Sequence, residues 1–165
     1  MNPNKIVLIG MPGSGKTTIG SLVSKKLNIK FVDMDEYIVQ KENLTIKDMF
    51  AISEDYFRDA ETNCARILGG ENSIIIATGG GIVKRNENME HLKKNSLVVF
   101  LNRPIENIIS DIDISTRPLL KDSIEKIYKL YKERYHLYQK YSDIEIINDT
   151  TIDDAVSRIT DAFQK

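Results

Sequence analysis

The sequence has very little cysteine and no strong excess of charge of either sign. Cys64 is the single cysteine among 165 residues, which excludes an intrachain disulfide and a cysteine-rich zinc site. A lone thiol of this kind is most often a small core residue in a reducing compartment. The formal net charge is −1, so the chain lacks the overall basic field that attracts nucleic acid or anionic membranes. Any site for an anion must therefore be built locally.

Long apolar segments are also missing. No apolar run approaches the roughly 20 residues that a membrane-spanning helix needs. The N-terminal stretch MNPNKIVLIG lacks the long apolar region and cleavage site of a secretory signal, and no internal repeat or low-complexity linker interrupts the chain. We therefore expect a cytoplasmic protein with one domain over residues 1–165, acting as a monomer with neither nucleic acid nor membrane as a partner.

Short runs rich in β-branched residues alternate with helical patterns. The runs are continuous rather than alternating, which is typical of strands covered on both faces. The predicted strands are Lys5–Ile9, 30–32, 73–77, 97–101 and Ile144–Ile147, and the main predicted helices are Lys16–Leu27, 54–68 and 123–141. This alternation predicts an α/β fold with a parallel sheet between two layers of helices. In such sheets ligands bind beyond the carboxyl ends of the strands.

The segment GMPGSGKT, from Gly10 to Thr17, matches the full P-loop pattern between a predicted strand and a predicted helix. Glycines allow the backbone N–H groups of the turn to converge on phosphate oxygens, helped by the helix N-terminus. Lys16 supplies a charge for the β- and γ-phosphates, and Thr17 can place its hydroxyl on Mg²⁺. A ligand-free glycine turn is the alternative, which the complete pattern disfavours. The sequence thus predicts a site for a nucleoside triphosphate with Mg²⁺.

The second metal carboxylate of many P-loop proteins is missing from its usual place, because the third predicted strand ends in IIIATGGG. Asp33 and Asp35 follow the second strand instead, in FVDMD. Two acids at i and i+2 on a strand point the same way, so both are expected to face the P-loop. One could hold a metal-bound water while the other meets a substrate hydroxyl. The alternative is a pair of solvated loop acids.

Two arginines within helical patterns suggest an anionic acceptor. Arg134 shares a helical stripe with residues that are predicted to pack, namely Ile127, Tyr131, Tyr138 and Tyr141. A guanidinium on such a stripe needs an anionic partner unless it reaches solvent or caps a carbonyl. Arg58 and Glu61 have the spacing of an ordinary surface pair, although Glu61 could instead aim Arg58 into a cleft. Two arginines together would suit one carboxylate.

Two loop segments add to this pattern. Gly79, Gly80 and Gly81 end a buried strand, where glycines let a ligand contact the backbone directly; a simple tight turn is the alternative. Arg117, in STRPLL, follows a segment with few packing signals. It suits a lid arginine that reaches the phosphates in the transition state, or else it is an incidental surface residue. With Asp35 as partner for a hydroxyl, the set favours a small hydroxylated carboxylic acid as acceptor.

In this order, the motifs GMPGSGKTT, DMD, FRDAE, TGGG, RPLL and ERYHLY resemble those of the shikimate kinases over essentially the whole chain. The resemblance implies a three-layer P-loop NTPase fold of the nucleoside-monophosphate-kinase type, with a five-stranded parallel sheet in the order 2-3-1-4-5. It also implies a substrate-binding helical region near residues 33–61 and a lid near 110–122. The implied reaction transfers the γ-phosphate of ATP to the 3-hydroxyl of shikimate, on the pathway to chorismate and aromatic amino acids. A gluconate or nucleoside monophosphate acceptor is the alternative.

The resemblance further implies a role for each motif. Shikimate would be bound by Asp35, Arg58, Gly79, Gly80, Gly81 and Arg134. The two arginines would take its carboxylate, and Asp35 would orient or deprotonate its hydroxyl. The phosphates of ATP would be held by Gly13, Ser14, Gly15, Lys16, Thr17 and Thr18, together with Arg117 from the lid. Thr17 would ligate Mg²⁺ directly and Asp33 through water. The catalytic residues would be Lys16, Asp35 and Arg117.

The sequence departs from the family pattern around the adenine. Many members carry an arginine early in the lid that stacks on this base. Here Ser110 stands at that position, with Asp111 and Asp113 nearby. The segment 148–154 also lacks the basic residues and proline of some relatives. These differences leave the side chains that contact adenine undefined by sequence.

Overall fold

The structure is a computed structural model that describes residues 3–111 and 120–165. Within these residues, one sheet contains β1 (Lys5–Ile9), β2 (Lys30–Asp33), β3 (Ile74–Ala77), β4 (Ser96–Asn102) and β5 (Ile144–Ile147). The strand order is β2-β3-β1-β4-β5, and all pairings are parallel. The predicted sheet order is confirmed. β1 and β5 have the predicted bounds, and the other strands differ by one residue at one or both ends.

Helices connect the strands and cover both faces of the sheet. They are α1 (Lys16–Leu27), α2 (Met34–Glu42), α3 (Ile46–Ile52), α4 (Glu54–Gly69), α5 (Asn86–Leu92), α6 (Ile105–Ser110), α7 (Leu120–Tyr141) and α8 (Ile152–Phe163), with a 3₁₀ turn at Ile82–Lys84. Over the described ranges, no helix combines the length and the apolar character that crossing a membrane would require.

Two separate hydrophobic clusters make the fold three-layered. Side chains of β1 alternate between them: Ile6 and Leu8 belong to the cluster under α1 and α8, and Val7 and Ile9 belong to the cluster under α4, α5 and α7. All four are fully buried. Because both faces of this strand are covered, its sequence has no polar alternation. The predicted α/β architecture is thus confirmed.

The turn after β2 differs from the sequence expectation. Asp33 ends the strand, and its Oδ1 accepts hydrogen bonds from the backbone N–H groups of Asp35 (3.0 Å) and Glu36 (3.2 Å). A carboxylate that satisfies these otherwise free groups begins a helix at the next residue. Asp35 therefore lies in the first turn of α2, and the prediction of two acids pointing the same way along a strand is wrong.

The carboxyl ends of all five strands in the described chain meet at one edge of the sheet. The P-loop follows β1, Asp33 ends β2, and the glycines 79–81 follow β3. Arg103 follows β4, and Asn148 follows β5. This is the edge at which open parallel sheets bind ligands, and it is where the motifs predicted from sequence are brought together.

Candidate active site

The P-loop joins β1 to α1 through a turn that depends on glycine. Gly13 and Gly15 have φ angles of 81° and 96°, in the left-handed region that residues with a side chain rarely adopt. The hydroxyl-bearing Ser14 between them is fully buried. The N-terminus of α1 follows immediately, so that backbone N–H groups and the helix dipole favour an anion at this position.

Lys16 is a buried cation at the start of α1. Its Nζ donates hydrogen bonds to the carbonyl oxygens of Gly10 (2.9 Å) and Met11 (2.8 Å). Burial lowers the pKa of Lys16 to about 8, against the opposing attraction of the Asp35 and Asp33 carboxylates. A phosphate beside the ammonium would favour its protonated form. An anionic ligand beside Lys16 would therefore stabilise its charged form.

Thr17 and Asp33 link the P-loop helix to the end of β2. The Thr17 hydroxyl donates to Asp33 Oδ2 at 2.6 Å, while Asp33 Oδ1 caps α2. The contact brings a hydroxyl and a carboxylate oxygen together beside the phosphate turn. These hard oxygen donors are of the kind that Mg²⁺ prefers, and one or two of them with phosphates and water make a usual site. The residues present therefore fit the ion.

A cavity of about 480 Å³ lies beside the P-loop. It is lined by all the residues predicted to bind the acceptor, which are Asp35, Arg58, Gly79, Gly80, Gly81 and Arg134. They come from α2, α4, the turn after β3, and α7. The size lies within the range of small-molecule sites.

Arg58 and Glu61 form a buried ion pair in α4. The two residues are only 7% and 1% exposed, and Arg58 Nη1 lies 2.8 Å from Glu61 Oε2. An ordinary surface pair is therefore the wrong interpretation, and Glu61 holds Arg58 at the wall of the cavity. A Cβ on Gly81 would overlap the Arg58 guanidinium, so this glycine makes room for the arginine. Burial raises the pKa of Glu61, and Arg58 opposes the rise.

Arg134 contributes a second guanidinium to the same cavity. Its Nε is buried and has no hydrogen-bond partner among the described residues. A buried donor without an acceptor costs about 1–3 kcal/mol, and more when the group is charged. A carboxylate in the cavity would supply that acceptor and a compensating charge.

Asp35 lies between the P-loop lysine and the acceptor cavity. Burial and the neighbouring Asp33 raise the pKa of Asp35, while Lys16 and Arg58 lower it. A Cβ on Gly79 would come within 2.9 Å of Asp35 Oδ1, so glycine is needed for the carboxylate to approach the turn. A raised pKa makes this carboxylate a better proton acceptor for a nearby hydroxyl.

A second cavity, of about 420 Å³, is formed by the P-loop with the ends of β4, α6 and β5. Arg103 Nη1 donates to the Gly13 carbonyl at 3.0 Å and pairs with the Asp111 carboxylate. Asn148 Nδ2 donates to the Ser14 carbonyl at 3.0 Å. Sequence reasoning missed Arg103. Its position directly after β4, at the ligand edge of the sheet, is the signal that could have identified it.

Arg117 and Asp113 lie outside the described residues, together with most of the predicted lid. The role of Arg117 therefore stays a prediction. Ser110, at the expected position of the adenine-stacking arginine, ends α6 and donates its hydroxyl to the Asn107 carbonyl at 2.8 Å.

Comparison with known proteins identifies the family. The family model described as shikimate kinase matches residues 12–164. The chain belongs to the shikimate kinase family. It is 53% identical over 156 residues to the shikimate kinase of Clostridium botulinum (strain Alaska E43 / Type E3), with 94% of each chain covered.

Solved structures of the family agree with the fold. Shikimate kinase from Acinetobacter baumannii in complex with shikimate is 31% identical, with a TM-score of 0.89 over 99% of this chain and 94% of that one. Shikimate kinase from Aquifex aeolicus vf5 is 34% identical, with a TM-score of 0.84 over 97% and 96% of the two chains. Membership confirms the function predicted from the motifs, which is ATP-dependent phosphorylation of shikimate in aromatic amino acid biosynthesis. It favours shikimate over the gluconate and nucleotide alternatives.

Proposed function

We propose that the chain transfers the γ-phosphoryl group of ATP to the 3-hydroxyl of shikimate across the boundary between its two cavities. The assignment of the acceptor rests on one observation. Arg58 lines the same small cavity as Arg134, whose buried Nε has no hydrogen-bond partner in the part of the chain that the structure describes. Two guanidinium groups suit one carboxylate, which accepts paired N–H donors. The relative solved with shikimate supports the same choice of acceptor.

Asp35 faces the hydroxyl end of the proposed acceptor. Its carboxylate orients the 3-hydroxyl and accepts its proton as the oxygen forms a bond to the γ-phosphorus. The bond from that phosphorus to the bridging oxygen breaks, and ADP leaves. Lys16, with Arg117 from the lid, neutralises the charge that develops on the transferring group. Most of the catalytic effect comes from alignment and charge stabilisation rather than from covalent chemistry.

Thr17 would ligate Mg²⁺ through its hydroxyl, and Asp33 would bind it through water. When bound with ATP, the ion supplies positive charge that neutralises the phosphates. The remaining P-loop residues, Gly13, Ser14, Gly15 and Thr18, would hold the phosphates through backbone and hydroxyl groups.

We also propose that the protein acts as a cytoplasmic monomer with ATP and shikimate as its substrates. Neither nucleic acid nor a membrane is needed for this reaction. Residues 33–61 would form the substrate-binding region and residues 110–122 the lid of one domain. The near-neutral charge of the chain supports the absence of a polyanionic partner.

The test of the acceptor assignment replaces Arg134 by alanine. We expect the KM for shikimate to rise by about 30-fold or more, because a charged hydrogen-bonding partner of the carboxylate is lost. The affinity of the free enzyme for ATP should change by less than about twofold. Arg158→Ala, which removes a half-exposed arginine of α8, is the matched control. Equal losses of shikimate and ATP affinity in Arg134→Ala would contradict the assignment.

A further inference from the structure

The glycine turn after β3 has all of its carbonyl oxygens engaged by the protein. The carbonyls of Gly79 and Gly81 accept backbone N–H groups of the following 3₁₀ turn at 3.2 and 3.0 Å. The Gly80 carbonyl accepts the Tyr138 hydroxyl at 2.6 Å. Within residues 3–111 and 120–165, no acceptor is bonded to the N–H groups of these glycines. The turn therefore keeps its donors for a ligand in the cavity that it lines.

Tyr138 reaches this carbonyl from a tightly packed position in α7. The residue is fully buried, and its ring stacks on Phe100 with centroids 5.2 Å apart. Its hydroxyl also lies 3.9 Å from the Met11 sulfur of the P-loop. Since the ring is fully buried and packed against Phe100, the hydroxyl has one fixed position relative to the glycine turn and the P-loop.

Arg134 lies one helical turn before Tyr138 in α7. Burial raises the pKa of Tyr138 to about 12, and the charge of the Arg134 guanidinium opposes the rise. The hydroxyl therefore stays protonated at neutral pH and can donate to the Gly80 carbonyl. It joins two walls of the acceptor cavity that come from distant parts of the chain.

Pro12 of the P-loop contacts Gly80 as well. A Cβ on Gly80 would lie 2.7 Å from Pro12 Cδ, so the glycine backbone is packed directly against the proline ring. Gly80 is thus fixed by Pro12 through packing and by Tyr138 through a hydrogen bond. The distance between the phosphate turn and the acceptor cavity depends on both contacts.

We propose that Tyr138 is a positioning residue for phosphoryl transfer. Its hydroxyl fixes the peptide groups of the glycine turn beside the acceptor, at a set distance from the P-loop. The inference rests on the acceptor cavity proposed above. Without the hydroxyl, the part-buried Gly80 carbonyl would lose its protein donor, and the turn would no longer be tied to α7.

The test compares Tyr138→Phe with Tyr141→Phe. Tyr141 lies in the same helix and is also buried, but its hydroxyl donates to Asn86 Oδ1 at 2.8 Å, outside the acceptor cavity. Calorimetry would give the Kd for shikimate and for ADP, steady-state assays kcat and KM, and thermal unfolding the stability of each variant. Both variants should lose stability, since each leaves one acceptor without its donor.

We expect only Tyr138→Phe to raise the shikimate Kd, by about tenfold, and to lower kcat, while the ADP Kd stays within about twofold. The inference would be overturned if Tyr138→Phe had the same shikimate Kd and kcat as Tyr141→Phe. It would also be overturned if Tyr138→Phe weakened the binding of ADP as much as the binding of shikimate. Arg134→Ala distinguishes failure of the Tyr138 hypothesis from failure of the acceptor assignment. If only the role of Tyr138 is wrong, Arg134→Ala still weakens shikimate binding and Tyr138→Phe does not. If the acceptor cavity is misassigned, neither variant weakens shikimate binding.

Discussion

Lys16 and Asp35 are oppositely charged groups that the fold partly removes from water at the same edge of the sheet. Burial lowers the pKa of the lysine and raises that of the aspartate, and their mutual attraction limits both changes. As a result, the protonated form of Lys16 is stabilised by a bound phosphate, and the Asp35 carboxylate is suited to accept a proton. Both properties depend on the surrounding packing, because the same side chains in water would have ordinary pKa values.

The pKa of Lys16 predicts the direction in which nucleotide affinity changes with pH. In the free protein Lys16 loses its proton near pH 8, whereas the bound phosphates favour the protonated form and raise its pKa. Affinity for a non-hydrolysable ATP analogue should therefore fall as pH rises from 7 to 9.5, approaching about tenfold per pH unit above the free pKa. Binding in that range should also take up a proton.

Calorimetry in buffers of different ionisation enthalpy measures both quantities. Shikimate binding is the internal control, because the proposed partners of its carboxylate do not include Lys16. A nucleotide affinity that does not change with pH, or binding without proton uptake above pH 8, would contradict the role of Lys16.

At the scale of elements, one arginine links the end of β4 to the end of α6. Arg103 follows β4, contacts the Gly13 carbonyl in the P-loop and pairs with Asp111 directly after α6. Ser110 stands at the expected position of the adenine-stacking arginine, and Arg103 is the guanidinium that the described residues place in the second cavity. The end of β4 thus places a cation beside the P-loop that does not depend on the adenine-stacking position.

Replacing Arg103 by alanine should therefore weaken nucleotide binding selectively. We expect the KM for ATP to rise by about three- to tenfold, since a partly exposed guanidinium that orders the P-loop carbonyl is removed. The KM for shikimate should stay within about twofold. Arg66→Ala, which removes a surface arginine bonded to Asn63 in α4, is the control. An unchanged ATP KM, or a loss confined to shikimate, would refute the expectation.

For the molecule as a whole, the sheet carries two cavities on one edge, with the P-loop beside both. Each cavity is built from several elements, so a ligand in either should stabilise the entire fold by mass action. At about 100 times its Kd, a ligand raises the free energy of unfolding by about 2.7 kcal/mol. For a chain of this size, that corresponds to roughly 5–10 °C in Tm.

Thermal unfolding can therefore report which ligand occupies which cavity. Shikimate alone and ADP alone should each raise Tm, and Arg134→Ala should cut the shikimate shift to about a third or less while keeping the ADP shift. Gluconate at the same concentration should leave Tm unchanged. A shift with gluconate as large as that with shikimate would contradict the proposed selectivity of the acceptor cavity.

Local patterns in the sequence determined the strands, the P-loop and the family. β1 and β5 were predicted to the residue because short runs rich in β-branched residues, bounded by polar residues or glycine, leave little choice of strand ends. The P-loop was predicted because its glycines and lysine act within a few residues of one another. The order of six short motifs then sufficed to indicate shikimate kinase, and the family comparison confirmed it.

Only the tertiary structure decided how the side chains are used. Whether Arg58 and Glu61 are a surface pair or a cavity wall depends on what packs over α4, which their spacing does not specify. Asp35 lies on a helix because the Asp33 carboxylate caps it. The Arg103–Gly13 and Tyr138–Gly80 contacts join residues 90 and 58 positions apart. Such contacts arise when separate strands and helices pack together, so no local sequence pattern records them.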